Sequence, residues 1–309
     1  MIVYREFSSL CRDLGFSGQT LYSVSSRIDR HYRPVRLPKA NGEYRQLFVP
    51  DDLLKAVQRR INDRLLPLEP VSPYATAYRP GGSTRRNAAP HVGRPVLLKL
   101  DIRRFFDSLT YPLVSESAFP KTRYSAQNRT LLTLLCTYKN ALPQGAPTSP
   151  AISNIVLCAF DTAVGECCRQ NGIAYTRYCD DMTFSGDFDP KPVIALVRAQ
   201  LSPMGLFLND RKTAVIRSGQ RQSVTGLVVN ERLSVPAAYK RQLRQEMYYC
   251  RQYGIANHLA RCGRADDADA YAAELYGRVC YVLSVEPDNA DMQTYALWLR
   301  RQRDTCSSQ

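Results

Sequence analysis

The stretch Tyr178-Cys179-Asp180-Asp181, set between the strand-like runs 173–177 and 182–185, constrains this chain more than any other. Two such runs around a short polar break read as a β-hairpin. Adjacent carboxylates at its tip repel one another and lose hydration unless a positive charge joins them. A divalent metal is the usual partner, because hard Mg²⁺ prefers carboxylate oxygens and also accepts phosphate oxygens. Alone, an Asp-Asp pair is most often a solvated turn, so the reading needs a third carboxylate from elsewhere. Asp101 is the candidate: it ends the apolar run 96–100, a buried strand, and Ile102-Arg103-Arg104-Phe105-Phe106-Asp107 follows. By itself Asp101 more readily caps the next helix. Beside the pair, it completes a site for two-metal phosphoryl transfer, with ions roughly 3.5–4 Å apart.

The 309 residues allow two or three packed subdomains, and a hydrophobic share of 44% excludes a disordered chain. No apolar stretch approaches the roughly 20 residues of a membrane span, and the N-terminus lacks a signal-peptide plan. The ten cysteines contain no C-x-x-C pair and no zinc-ligand spacing. They read as reduced side chains, so a cytoplasmic protein with no membrane partner is expected. The net charge of +14 is uneven: Lys/Arg outnumber Asp/Glu by 17 to 8 in residues 1–100 and by 15 to 10 in 211–309, and balance at 10 each between. A neutral, acid-bearing middle between basic flanks suits a metal site beside surfaces that grip a polyanion.

Residues 1–30 read as helix and loop. Strand-like segments 32–37 and 44–49 flank Lys39-Ala40-Asn41-Gly42, and Asn-Gly between two such runs signals a hairpin. Lys39 and Arg45 fall near its tip, where two cations suit a triphosphate or are simply solvated charges. After Pro50-Asp51-Asp52, a helix is expected with Leu53, Leu54, Val57, Ile61, Leu65 and Leu66 on its core face. Leu142-Pro143-Gln144-Gly145-Ala146-Pro147-Thr148-Ser149-Pro150 is a rigid loop, and one helix over 151–168 follows. Such a loop at a helix N-terminus favours phosphate or a nucleobase edge. Lys212 follows segment 206–209 and is expected to reach the same cleft. Residues 223–229 read as one strand, and Pro236 opens a helical end region. There Tyr239, Leu243, Met247 and Cys250 form an apolar stripe, while Arg241, Arg244, Tyr248 and Arg251 form a basic face with an aromatic. That face suits RNA backbone and base stacking, or is plainly a solvated helix side.

In these motifs the chain resembles the reverse transcriptases along almost its whole length. Asp101 with Phe105-Phe106 resembles the first catalytic motif of that family, Leu142-Pro143-Gln144-Gly145 through Pro150 its nucleotide-binding loop, and Tyr178-Cys179-Asp180-Asp181 its Tyr-x-Asp-Asp signature. Asn87-Ala88-Ala89-Pro90-His91 and Val224-Thr225-Gly226 resemble the Asn-Ala-x-x-His and Val-Thr-Gly segments of retron reverse transcriptases in particular. The resemblance implies an α+β right-hand polymerase fold. Residues 1–30 would be an N-terminal helical segment and 31–95 the fingers. Residues 96–234 would be the palm, an antiparallel sheet plus helices with the remaining fingers elements, and 235–309 a mainly helical, RNA-binding thumb.

It implies an RNA-directed DNA polymerase that copies part of a cognate structured non-coding RNA from a 2′-OH primer into a branched RNA–DNA hybrid (msDNA), used in anti-phage defence. Asp101, Asp180 and Asp181 would be catalytic and hold two Mg²⁺ ions, Asp181 less clearly than the others, since neighbours on a hairpin need not point the same way. Lys39, Arg45, Phe106, Gln144 and Lys212 would bind the dNTP: Lys39 and Arg45 clamp the triphosphate, Gln144 lines the pocket, Phe106 excludes the sugar 2′-OH and Lys212 serves the leaving pyrophosphate. Asn87, His91, Val224, Thr225, Gly226, Arg241, Arg244, Tyr248 and Arg251 would contact the RNA. The length leaves no room for an effector or RNase H domain, so a separate effector protein and a host RNase H are expected partners. The rival readings are a group II intron-like, CRISPR-associated or abortive-infection reverse transcriptase, and a non-catalytic RNA-binding protein. The intact aspartates stand against the last.

Overall fold

The computed structural model describes residues 3–38, 42–264 and 267–306. These form two compact units: Met1–Ser83 with Pro95–Ile216, and Thr84–Arg94 with Arg217–Gln309. The division cuts across the boundaries drawn from sequence, because 84–94 groups with residues beyond 216.

In the first unit, β1 (Tyr32–Pro38) and β2 (Tyr44–Pro50) pair antiparallel. The tip at Lys39 lies outside the described residues. The helix Asp52–Arg64 follows, its first turn capped by the Asp51 carboxylate accepting from the Leu54 N–H at 2.9 Å. It buries Leu54, Val57 and Ile61, each worth about 1.5–3 kcal/mol over an exposed position. Leu53 departs from the expected core face and is exposed, one position off the buried stripe.

The centre of this unit is a four-stranded sheet of β3 (Val96–Asp101), β4 (Ala174–Tyr178), β5 (Asp181–Gly186) and β6 (Ala214–Arg217), in the order β4-β5-β3-β6. Side chains alternate across a strand, and directly paired residues share a face. Leu98, Leu100, Tyr175, Met182 and Phe184 therefore point one way, into a core shared with Phe160, Val164, Val193, Val197 and Leu201 of the helices. Lys99, Asp101, Thr183 and Asp181 point the other way. The period-2 pattern thus sends both acids to the face opposite the helical core.

The helix expected over 151–168 is two, Ser149–Val156 and Cys158–Gln170, bent by 52° at Leu157. No proline or glycine marks the bend, which lets Ile152 and Ile155 before it and Phe160 and Val164 after it all reach the core. At Gly165 a β-carbon would lie 2.2 Å from the Tyr74 ring, so any other residue there would force that ring to shift. Among the described residues no single helix is long and apolar enough to cross a membrane.

In the second unit, the helix Thr84–Ala88, followed by the turn Ala89–His91, stands beside β7 (Ser223–Val224) and β8 (Leu227–Val228). The single strand expected over 223–229 is a hairpin, because Thr225 and Gly226 both have positive φ, +45° and +83°. That pair of values belongs to a type I′ turn, which Gly226 suits and β-branched Thr225 does not. Thr225 is held in place by its own hydroxyl, which donates to the Thr84 carbonyl at 3.2 Å and accepts from the Asn87 amide at 3.4 Å. Four helices follow: Ala237–Tyr253, Ile255–Arg261, Ala268–Val285 and Ala290–Cys306. Leu243, Met247 and Cys250 are buried at the expected spacing, and Tyr239 meets Tyr281 edge-on at 5.7 Å.

Candidate active site

Two strand ends and one turn build the site. In the register of β3 and β5, Asp101 lies directly opposite Asp181, and the two-residue turn Cys179-Asp180 joins β4 to β5 beside them. The structure thus brings the three acids together, with Asp101 and Asp181 on one face. Asp101 is not a helix cap: the short helix Phe105–Ser108 begins from Arg104, and Asp101 is 4% exposed at the end of its strand.

The acids feel one another. The Asp181 carboxyl is pushed above the usual carboxylate range, first by lost hydration of its carboxylate, although the residue as a whole keeps exposed surface, then by the charges of Asp180 and Asp101. Lys99 and Lys212 act against this shift. Asp101 is the best-held of the three. Its Oδ1 accepts from Lys212 Nζ at 2.6 Å, its Oδ2 from the Asn209 amide at 3.1 Å, and its carbonyl from the Asn209 N–H at 2.8 Å. The hydrogen bond to Asp101 raises the Lys212 pKa, so its ammonium persists as a charge rather than releasing a proton readily.

A cation suits this site in kind: Asp101 and Asp181 face each other in register beside Asp180, and the Asp181 carboxylate is destabilised as an anion. Asp101, however, is already engaged by Lys212 and Asn209, and among the described residues no three His, Cys, Asp or Glu side chains draw together closely enough to hold a metal. A metal ligated by Asp101 would have to displace the Lys212 ammonium from its Oδ1.

The turn itself is strained. Cys179 has φ +62°, while Asp180 is not among the described residues with positive φ, the pattern of a type II′ turn whose first position favours glycine. A non-glycine residue there costs about 1–2 kcal/mol. Three contacts hold it. The Cys179 carbonyl accepts from Arg177 Nη1 at 2.8 Å, the Asp180 carbonyl accepts from the Ile102 N–H at 3.3 Å, and the Tyr78 hydroxyl lies 3.3 Å from the Cys179 sulfur. Burial pushes the Cys179 thiol up to about 11, so it stays protonated and is no nucleophile at neutral pH.

The other expected site residues of this unit gather less tightly. Phe106 is half-buried against Phe105, ring centroids 5.2 Å apart. Gln144 is tied by its carbonyl to the Phe48 N–H of β2 at 2.8 Å, and Gly145 (φ +121°) passes so close that a β-carbon would lie 2.8 Å from the Phe48 carbonyl. The loop is therefore clasped to the hairpin carrying exposed Arg45, which pairs in register with Leu37. Asn209, Lys99, Asp161 and Arg177 were not singled out from sequence. A signal existed only for Asn209, which lies three residues before Lys212 in the same segment.

In the second unit, Asn87, His91 and Val224 are at most 1% exposed. Their side chains are packed inside this unit, unlike the others expected to contact RNA. Asn87 holds the Thr225 turn, and Gly226 is exposed at its tip. Arg241, Arg244, Tyr248 and Arg251 are all exposed on the helix Ala237–Tyr253, with Tyr248 at 60%. Arg244 is partly spoken for, its Nε donating to Asp291 at 2.8 Å, and Arg251 lies over the Tyr295 ring at 6.0 Å.

The family model described as reverse transcriptase (RNA-dependent DNA polymerase) matches residues 37–237. Retron Mx65 reverse transcriptase of Myxococcus xanthus is 35% identical over 94% of this chain and 70% of its own length. Retron Ec86 reverse transcriptase of Escherichia coli is 29% identical over 87% of this chain and 81% of its own. A solved telomerase from Candida tropicalis is 14% identical over 66% of this chain and 55% of its own, with a TM-score of 0.44, too low to carry weight. The matched segment spans β3, the loop at Gln144 and the acidic turn, so the chain belongs to the reverse transcriptase family, RNA-directed DNA polymerases of right-hand fold that use divalent metal and an RNA template, and within it to the bacterial retron enzymes.

Proposed function

We propose that this chain copies part of a cognate structured non-coding RNA into DNA, starting from a ribose 2′-OH of that RNA and leaving a branched RNA–DNA hybrid (msDNA) that serves anti-phage defence in the cytoplasm with a separate effector protein. A host RNase H would trim the template. The observation that carries the chemistry is the register pairing of Asp101 with Asp181 beside Asp180. Fingers over 31–95, a palm over 96–234 and a thumb over 235–309 remain the functional division we favour.

Asp101, Asp180 and Asp181 would hold two Mg²⁺ ions. Bound there, such ions supply activation of the attacking oxygen and stabilisation of the leaving one. The protein's part is to orient and to balance charge. Asn209 fixes Asp101 from backbone and side chain at once. Lys212, once released from Asp101, offers a persistent positive charge to the departing pyrophosphate. Lys39 and Arg45 clamp the triphosphate of a dNTP, Gln144 lines the pocket, and Phe106 stands where a ribonucleotide carries its 2′-OH. Arg241, Arg244, Tyr248 and Arg251 grip and stack on RNA, while Asn87, His91, Val224, Thr225 and Gly226 shape the hairpin that meets it.

The test is the product. Cells expressing the chain with its neighbouring non-coding RNA should yield DNA joined to RNA through a 2′,5′ bond, released to free DNA by a debranching enzyme. DNA that carries no such bond would remove the retron priming step and leave a plain reverse transcriptase.

A further inference from the structure

The Asp161–Arg177 pair is sealed from solvent, both side chains 0% exposed. Burying two charges gains little stability over apolar side chains of the same volume, so such a pair asks for another role. Arg177 Nε donates to Asp161 Oδ1 at 2.8 Å and Nη2 to Oδ2 at 2.5 Å, and the Tyr175 hydroxyl donates to Oδ1 at 2.8 Å. Two of the three guanidinium nitrogens are thereby committed to Asp161. The third, Nη1, reaches forward to the Cys179 carbonyl at 2.8 Å. The strand is pinned as well, since the Arg177 carbonyl accepts from the Thr76 N–H at 2.8 Å and its N–H donates to the Tyr74 carbonyl at 2.9 Å. Arg177 pairs in register with Met182, so it lies on the helix-covered face of the sheet, opposite Asp101 and Asp181. It therefore holds the acidic turn from the face opposite Asp101 and Asp181.

We propose that Arg177, locked in orientation by Asp161, is a positioning residue: by holding the Cys179 carbonyl it keeps Cys179 at positive φ and so sets the direction of Asp180 and Asp181 toward metal. A planar guanidinium can grip a carboxylate and a carbonyl at once, whereas a lysine ammonium at the same place offers no fixed second branch. The proposal rests on the reading of the three aspartates as metal ligands.

The test uses the full chain without substrate and measures Mn²⁺ binding by paramagnetic resonance, with Mn²⁺ as probe. Arg177→Lys keeps a charge beside Asp161 and should raise the half-saturating Mn²⁺ concentration about tenfold, the usual scale for an outer partner of a metal ligand. Cys179→Gly removes the strain Arg177 opposes, so in that background Arg177→Lys should shift binding clearly less. Should Arg177→Lys not fold, the neutral pair Asp161→Asn with Arg177→Gln replaces it in both backgrounds. A folded variant that binds Mn²⁺ like the native chain, or an equal shift in both backgrounds, overturns the proposal. Failure of both variants to fold also overturns it and makes the pair structural. Asp180→Asn is run alongside: if it binds Mn²⁺ undiminished, the reading of the metal site is at fault and not the role of Arg177.

Discussion

Two hairpin turns in different parts of the molecule solve one backbone problem by opposite means. Cys179-Asp180 and Thr225-Gly226 each connect two strands through two residues, and each begins with a non-glycine residue at positive φ. Cys179 is held by a buried, charged guanidinium, Thr225 by a neutral amide and its own hydroxyl. Charge-assisted hydrogen bonds are roughly twice as strong as neutral ones. The stronger bond sits where three acids push against one another, and the weaker where nearby Asn87, His91 and Val224 are buried. The contrast teaches that the first turn is built to aim charge and the second to hold shape.

The largest effect should come from breaking the charged side. Asp161→Leu leaves Arg177 buried and unpaired, and should cost about 3–5 kcal/mol in a denaturant titration. Thr225→Ala removes two neutral hydrogen bonds and should cost only about 1–2 kcal/mol in the same measurement. Equal losses would erase the distinction between the turns.

A smaller effect belongs to the neutral side and depends on pH. Burial, and then the charge of Arg94, push the His91 imidazole down to about 3. His91 is therefore neutral in the folded chain at any pH above that, while the unfolded chain takes up a proton near pH 6.5. Its contribution is present above about pH 6.5 and is lost as pH falls toward 3. At pH 5 the loss should be about 2 kcal/mol, read as weakened hydrogen-exchange protection over 84–94 and 217–230. His91→Gln should remove this pH dependence; if the slope survives, another group carries it.

What sequence could reveal follows from how local each signal is. The strand ending at Asp101 and the strands around Asp180-Asp181 are short apolar runs next to acids, and both motif and structure depend only on neighbouring residues. The stripe Leu243, Met247, Cys250 was legible for the same reason, through helical period. Arg177 and Asp161 were not, because their meaning lies in a contact across 16 positions, and a lone arginine in a strand announces nothing. The hairpin at Thr225 was hidden by Thr itself, whose β-branch argues for strand, although Gly226 was the turn signal. The bend at Leu157 has no proline or glycine to betray it, and Leu53 differs from Leu54 only by a rotation of about 100° around the helix.

The central claim, that the acidic turn and Asp101 form the phosphoryl-transfer site, is tested most directly by primer extension with Asp180→Asn on a generic RNA template annealed to a DNA primer. Removing one carboxylate from a crowded trio should leave thermal stability unchanged or slightly raised. The rate should fall by at least about 10³, the scale of several kcal/mol of lost transition-state stabilisation. Extension at near the native rate by the folded variant would contradict the account.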